Sequence, residues 1–490
     1  MTETAEDIAA GESRNLNLFG LIAGIAAFAA MMVWFRSDNL EKPAEIVAAI
    51  GVLMAIWWAT DAIPLPVTAL VPLVVFPITG VMSLPDSAAP YANPIIFLFL
   101  GGFLVALAVE RSQLHRRVAL LIFRALGRSG AGLVGGFMLV SAIISMWISN
   151  TSTVLMLFPI ATSLGLVVSE TSSQLSPKEK RDFQIALLLG LAYGASIGGI
   201  ATLVGTPTNA FMVGFLQSEY EVEIPFGRWM LIGLPVTIIL LPVGWLLLTR
   251  VLFPVRFMSS AETRLELKRR HDALGSMSQA EWRTGFLFTL LVTGWLLREQ
   301  ISVWTGFDAL SDTGIALAAA ILAFIIPSGT DRQALVTWED TKRLPWGVLV
   351  LFGGGLALAA ALSSSGLTLW LGQQLAPLGA INHVLLVVVL TALVVFLTEL
   401  TSNVATTATL LPVVAALAVE LGMDPLMFVV PVSIAASCAF MLPVATPPNA
   451  IVFSTGAVRI FDMVRAGFWL NIVAIILISV IALFLVPAVL

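Results

Sequence analysis

The chain has 490 residues, 58% of them hydrophobic and only 11% charged, with a mean hydropathy of +0.97 and a formal net charge of −5. Soluble domains carry about 25% charged residues, so this composition excludes a largely water-facing surface and requires one that faces lipid. No basic run is interleaved with aromatics, which argues against a nucleic-acid partner, and the lone cysteine, Cys438, excludes a disulfide framework or a thiolate metal site.

The first 15 residues are acidic (Glu3, Glu6, Asp7, Glu12), and no small-residue cleavage site follows the first apolar run, so no secretory signal is expected. That run, Leu16 to Phe35, is long enough to cross the hydrocarbon core as a helix. Further apolar segments follow at 45–60, 63–82, 94–110, 131–169, 183–216, 230–253, 284–305, 313–327, 346–362, 383–420, 426–456 and 466–489. Segments 131–169 and 383–420 are each interrupted by a polar tripeptide, Ser149-Asn150-Thr151 and Ser402-Asn403-Val404. Such a break at membrane depth is tolerated only inside protein or beside water. Both segments are therefore predicted to be re-entrant helical hairpins, which leaves about eleven crossings.

Charge placement tests that topology. With a cytoplasmic N-terminus and an outer C-terminus, only Arg36, Lys42, Arg228 and Arg298 of the 25 Lys and Arg fall outside. This is the positive-inside pattern, and reading either hairpin as a full crossing destroys it. The expected location is a bacterial inner membrane.

The sequence repeats itself. Leu98-Phe99-Leu100-Gly101-Gly102 matches Leu351-Phe352-Gly353-Gly354-Gly355, and the two tripeptides share the same offset of 253 residues. Gly205-Thr206-Pro207-Thr208-Asn209 matches Ala445-Thr446-Pro447-Pro448-Asn449 at an offset of 240. The arm at 111–128 has five arginines and its counterpart at 364–381 has no charge, so the repeat is predicted to be inverted in the membrane. Inverted repeats with broken helices at matching positions mark secondary transporters that bind near the midplane. The expected division is 1–44 for the tail and first helix, 45–256 for the first repeat, 257–283 for a cytoplasmic linker and 284–490 for the second repeat.

A broken helix exposes backbone N–H groups at one end and carbonyls at the other. Carbonyls with Ser, Thr and Asn oxygens suit Na⁺, and N–H groups at helix N-termini suit a carboxylate or sulfate. Prolines 207, 447 and 448 stop the preceding helix from continuing. No Arg, Lys or His lies near either tripeptide in sequence, so a bound anion would depend on hydroxyls, amides, helix ends and co-bound cations. Glu399 lies three residues before Ser402, and its first-half counterpart is Met146. It is open between a proton-coupling role and a carboxylate satisfied by hairpin hydroxyls.

These motifs resemble the divalent anion/sodium symporter family, whose members carry dicarboxylates, citrate and sulfate. The likeness covers nearly the whole chain and includes Trp57-Trp58-Ala59-Thr60-Asp61-Ala62-Ile63-Pro64-Leu65-Pro66. It implies an all-α polytopic fold with a scaffold domain and a transport domain, assembled as a homodimer and working as an elevator. It implies one Na⁺ site near Ser145, Ser149, Asn150 and Gly205, and another near Thr398, Ser402, Asn403 and Ala445. It implies a dianion met by Ser149, Asn150, Thr151, Ser402, Asn403 and Thr446, beside Thr206, Pro207 and Pro447. The second tripeptide ends in Val404, which cannot donate to a carboxylate. The expected activity is Na⁺-coupled symport of a C4 dicarboxylate such as succinate. The alternatives are a Na⁺-independent dicarboxylate exchanger and, more remotely, an intramembrane hydrolase built on Gly194-Ala195-Ser196-Ile197-Gly198.

Overall fold

A computed structural model of the protein describes residues 17–35, 40–172, 174–307, 309–329 and 333–490. The acidic N-terminal residues and Arg14, Arg36 and Arg332 of the charge pattern lie outside them. Among the described residues the architecture is helical throughout, with only isolated bridges such as Ser129 to Met258 in place of strands. The helices of seven residues or more are, in order, α1 Leu18–Trp34, α2 Lys42–Thr60, α3 Val71–Thr79, α4 Pro94–Arg111, α5 Leu114–Leu126, α6 Gly130–Ser145, α7 Asn150–Thr171, α8 Pro177–Ile200, α9 Pro207–Tyr220, α10 Phe226–Leu246, α11 Ala261–Asp272, α12 Gln279–Leu296, α13 Arg298–Thr305, α14 Asp312–Ile325, α15 Trp346–Ser364, α16 Leu367–Leu375, α17 His383–Leu397, α18 Asn403–Glu420, α19 Leu426–Ala436, α20 Pro447–Phe453 and α21 Ile460–Phe484. Among the described residues eight helices are long and apolar enough to cross a membrane, or ten when each sharply bent pair counts as one span.

The internal repeat is visible in the order of elements. Helices α4 to α10 recur as α15 to α21, with the broken segments at matching places. The expected single segment at 284–305 is a pair, α12 and α13, bent by 76°. The bend falls where Arg298 turns toward Glu223, at 2.8 Å, and Asp312, at 3.5 Å.

Helix α8 forms the centre, with 94% of its apolar window buried. Its start is fixed by a capping box between Ser176 and Glu179, with Pro177 at the first helical position. Its far end packs on α6 at backbone contact. A Cβ on Gly194 would lie 2.6 Å from the Met138 carbonyl oxygen, and one on Gly198 would lie 2.3 Å from that of Ala142. Ser196 between them is buried within α8. The glycines of the Gly-x-Ser-x-Gly string thus serve helix packing.

The two halves grip each other crosswise. The second hairpin limb of the first half, α7, packs on α20, and its counterpart α18 packs on α9. Ion pairs also join the halves, Arg111 to Asp340 at 2.9 Å and Arg181 to Asp462 at 2.8 Å, while Arg117 pairs with Glu281 of the linker at 2.7 Å.

Candidate functional site

Both predicted breaks are present, each between two helices. α6 ends at Ser145 and α7 starts at Asn150; α17 ends at Leu397 and α18 starts at Asn403. At the first break the Ser145 hydroxyl donates to Asn150 Oδ1 at 2.5 Å. At the second, the Thr398 hydroxyl lies 2.8 Å from Asn403 Oδ1 and 2.8 Å from the Ala436 carbonyl oxygen. The same hydroxyl–amide pair therefore recurs at the 253-residue offset. Asn150 also faces the end of α8: a Cβ on Gly199 would sit 2.6 Å from its Oδ1 and 3.0 Å from the Gly205 carbonyl oxygen. Ser145, Asn150, Gly199 and Gly205 thus lie together, offering a hydroxyl, an amide and backbone carbonyl oxygens. That donor set fits a hard monovalent cation.

The remaining predicted residues have mixed surroundings. Ser149 caps α7, accepting from the Ser152 N–H at 3.2 Å, and Thr151 is half-buried in the first turn. Ser402 makes no capping bond, so the first N–H groups of α18 have no side-chain acceptor from it. Thr446 caps its own helix weakly, 3.4 Å from the Asn449 N–H. Pro207 and Pro447 open α9 and α20, and Pro447 is exposed. Thr206 joins a buried hydroxyl cluster across the halves, 3.4 Å from Thr208 and 3.5 Å from Ser437, whose hydroxyls are 2.6 Å apart. Ala445 is buried, but the carbonyl that Thr398 reaches is that of Ala436. Among the described residues no Arg, Lys or His side chain bonds to any of these groups.

Two structural residues were not singled out by the sequence reading. The Asn209 amide donates to the carbonyls of Gly199, Ile200 and Thr202 at 3.5, 3.1 and 2.9 Å. Asn449 does the same for Ala439 and Leu442 at 3.1 and 3.0 Å. Each asparagine holds the carbonyls released where α8 or α19 unwinds, a requirement for any irregular backbone inside a membrane protein. The signal lay in the Thr-Pro-x-Asn match, whose last residue recurs at the 240 offset.

Glu399 is satisfied by different donors from those expected. Its buried carboxylate accepts from the backbone N–H groups of Phe440, Met441 and Leu442, at 2.7 to 3.0 Å, and from Asn471 Nδ2 at 2.8 Å. Hairpin hydroxyls do not contribute: Thr401 bonds to Thr406 at 2.6 Å instead.

Beside the first hairpin turn, Trp147 stacks on Trp295 with centroids 6.4 Å apart and rings 7° from parallel, and meets Phe288 edge-on at 5.1 Å. This fastens the hairpin turn to α12.

Comparison with known proteins agrees with the architecture. A family model described as the sodium:sulfate symporter transmembrane region matches residues 15–489. The sodium-dependent dicarboxylate transporter SdcS of Staphylococcus saprophyticus is 40% identical over 481 residues, 96% of this chain and 92% of that one. The protein of the same name from Staphylococcus aureus is 39% identical over 483 residues, with the same coverage. Among solved structures, the Alcanivorax borkumensis YdaH transporter shares the fold, with a TM-score of 0.56 at 16% identity over 90% of this chain and 98% of that one.

Proposed function

Since the chain belongs to the divalent anion/sodium symporter family, a family of multi-pass membrane transporters rather than enzymes, we propose that it couples Na⁺ entry to uptake of a C4 dicarboxylate such as succinate. The observation that carries this reading is the hydroxyl–amide pair repeated at both hairpin breaks, Ser145 with Asn150 and Thr398 with Asn403. In each pair the amide oxygen faces the hydroxyl and leaves the amide nitrogen for a second ligand. An oxygen cluster at one side of the asparagine and a donor at the other suit a cation and a carboxylate bound back to back.

In this reading Na⁺ binds at Ser145, Ser149, Asn150 and Gly205 and again at Thr398, Ser402, Asn403 and Ala445. The dianion is met by Ser149, Asn150, Thr151, Ser402, Asn403 and Thr446, beside Thr206, Pro207 and Pro447. The uncapped N-terminus of α18 adds positive helix-end potential, worth typically ~0.3–1 kcal/mol and up to ~2 when partly buried. Moving an anion out of water costs several kcal/mol or more, and among the described residues no fixed cation bonds to the site. Bound Na⁺ offsets that cost, and this makes coupling obligatory. The SdcS proteins are named for the same coupling. The proposal includes a homodimer in a bacterial inner membrane, with a cytoplasmic N-terminus, inverted repeats at 45–256 and 284–490 joined by a linker at 257–283, and elevator movement of a transport domain against a scaffold.

The test is uptake of labelled succinate into proteoliposomes under an imposed Na⁺ gradient, competed by citrate, sulfate and aspartate. Uptake driven by Na⁺ and blocked by unlabelled succinate is expected. Uptake that requires internal dicarboxylate and ignores Na⁺ identifies an exchanger, and sulfate uptake insensitive to succinate refutes the substrate assignment.

A further inference from the structure

Glu399 occupies a position where the repeat is broken, since Met146 stands at the matching place in the first half. It follows Thr398, the hydroxyl partner of Asn403, at the turn of the second hairpin. Its carboxylate reaches some forty residues along the chain to the segment where α19 has unwound. There Oε1 accepts from Phe440 N and Met441 N at 2.7 and 2.9 Å, and Oε2 accepts from Met441 N and Leu442 N at 3.0 Å each. Asn471 Nδ2 on α21 adds a further bond to Oε1 at 2.8 Å. The other edge of the same segment is held through its carbonyls, by Asn449 at Ala439 and Leu442 and by the Tyr193 hydroxyl at Phe440, at 2.8 Å. The first half pins its carbonyls in the same way, through Asn209 and through Trp229 Nε1 at Ile200, 3.1 Å away. Met146 offers only its main-chain carbonyl, which accepts from the Thr202 hydroxyl at 2.5 Å.

We propose that Glu399 is a positioning residue for the second cation site: its carboxylate ties the hairpin turn that carries Thr398 and Asn403 to the unwound segment that leads to Ala445 and Thr446. This rests on the functional reading above and deepens it. An ionised carboxylate is acceptor-only and can take several N–H donors at once. With both oxygens turned toward N–H groups, a proton on either would face a donor. Glu399 thus holds the segment through both oxygens, each an acceptor. The two cation sites differ, because the second is tied together by a buried carboxylate and the first by close backbone packing at Gly199 and Gly205.

Two variants test this in the full-length protein: Glu399→Gln, which places an amide N–H₂ against backbone donors, and Asn471→Leu, which removes one donor and leaves three backbone N–H groups. The first readout is the Na⁺-induced rise in Tm of purified protein with no dicarboxylate present. The second is the Na⁺ dependence of succinate uptake. Glu399→Gln is expected to raise the half-saturating Na⁺ concentration roughly tenfold or more, as for loss of a charge-assisted bond, and to reduce the Na⁺-induced Tm rise. Its KM for succinate at saturating Na⁺ should stay within about threefold of wild type, a split that a general loss of structure would not give. Asn471→Leu should shift Na⁺ dependence in the same direction by less. Wild-type Na⁺ dependence in Glu399→Gln overturns the proposal. If that variant fails to accumulate, unchanged Na⁺ dependence in Asn471→Leu does so. Absence of Na⁺-driven succinate uptake by the wild-type protein refutes the functional reading instead, and the Tm readout still decides the role of Glu399.

Discussion

Replacing Gly199 by alanine adds one methyl group at the point where α8 meets Asn150. The new Cβ would sit 2.6 Å from Asn150 Oδ1, 3.2 Å from its Nδ2 and 3.0 Å from the Gly205 carbonyl oxygen. The amide is the softest of these neighbours, so it yields by rotating away. That rotation breaks the bond to Ser145, worth ~0.5–1.5 kcal/mol. Alanine in place of glycine favours the helix by up to ~1 kcal/mol, so folding stability should change little. The proposed cation, however, loses an oxygen ligand, and a hydrogen bond to a charged group, taken as the analogue, is worth ~1.5–3 kcal/mol. At tenfold per ~1.4 kcal/mol, the half-saturating Na⁺ concentration should rise roughly 10- to 150-fold. The second half carries Ala439 at the matching position, so Ala439→Gly provides a variant at the counterpart. The assay is succinate uptake against external Na⁺ in proteoliposomes, with Tm in detergent recorded for each variant. A Gly199→Ala protein with wild-type Tm and wild-type Na⁺ dependence would refute the placement of the first cation at Asn150.

Asn150→Ala and Asn403→Ala should each abolish uptake while the protein still inserts, because each removes a group assigned to both ion and anion; near-wild-type uptake at limiting Na⁺ and substrate contradicts this. Succinate binding measured by calorimetry should be much tighter in Na⁺ than in choline, and by reciprocity succinate should tighten Na⁺ binding by the same factor; equal affinity in the two salts removes the coupling. At the helix ends, burial raises the Asp340 carboxyl, but the Thr337 N–H and hydroxyl, Arg343 and Arg111 outweigh it and hold the carboxyl below the usual range. Its contribution is therefore fully present at neutral pH and is lost as pH falls through the depressed folded value. Asp340→Asn should cost ~1–3 kcal/mol at pH 7, read as a lower Tm, and the deficit should shrink in acid.

Much of the architecture was legible because membrane helices obey length and satisfaction rules that leave few alternatives. A run such as 131–169 is too long for one crossing, and Ser149-Asn150 can sit within it only at a turn. The Thr-Pro matches located the unwound segments because proline cannot extend the preceding helix. Partner choice was not legible. Nothing near Glu399 in sequence announces Phe440 to Leu442 as its donors, since that pairing exists only once α17, α19 and α21 have packed. The direction of an asparagine amide is also invisible in a string of letters, so Asn209 and Asn449 passed as repeat markers rather than as the groups holding the loosened carbonyls. Nor could the letters show that the Thr446 hydroxyl faces the first turn of its own helix, a local bond open to any threonine before a helix.

The tryptophan stack at the first hairpin turn has an optical consequence. Trp147 and Trp295 lie close and nearly parallel on two different elements, the hairpin turn and α12. Each indole forms part of the other's surroundings, so the near-UV circular dichroism of both depends on the contact. Any stroke that carries the turn past α12 must separate the rings and forfeit an aromatic contact of about 0.5–1.5 kcal/mol. The tryptophan pair thus reports position: a change in its near-UV signal marks the turn leaving its seat.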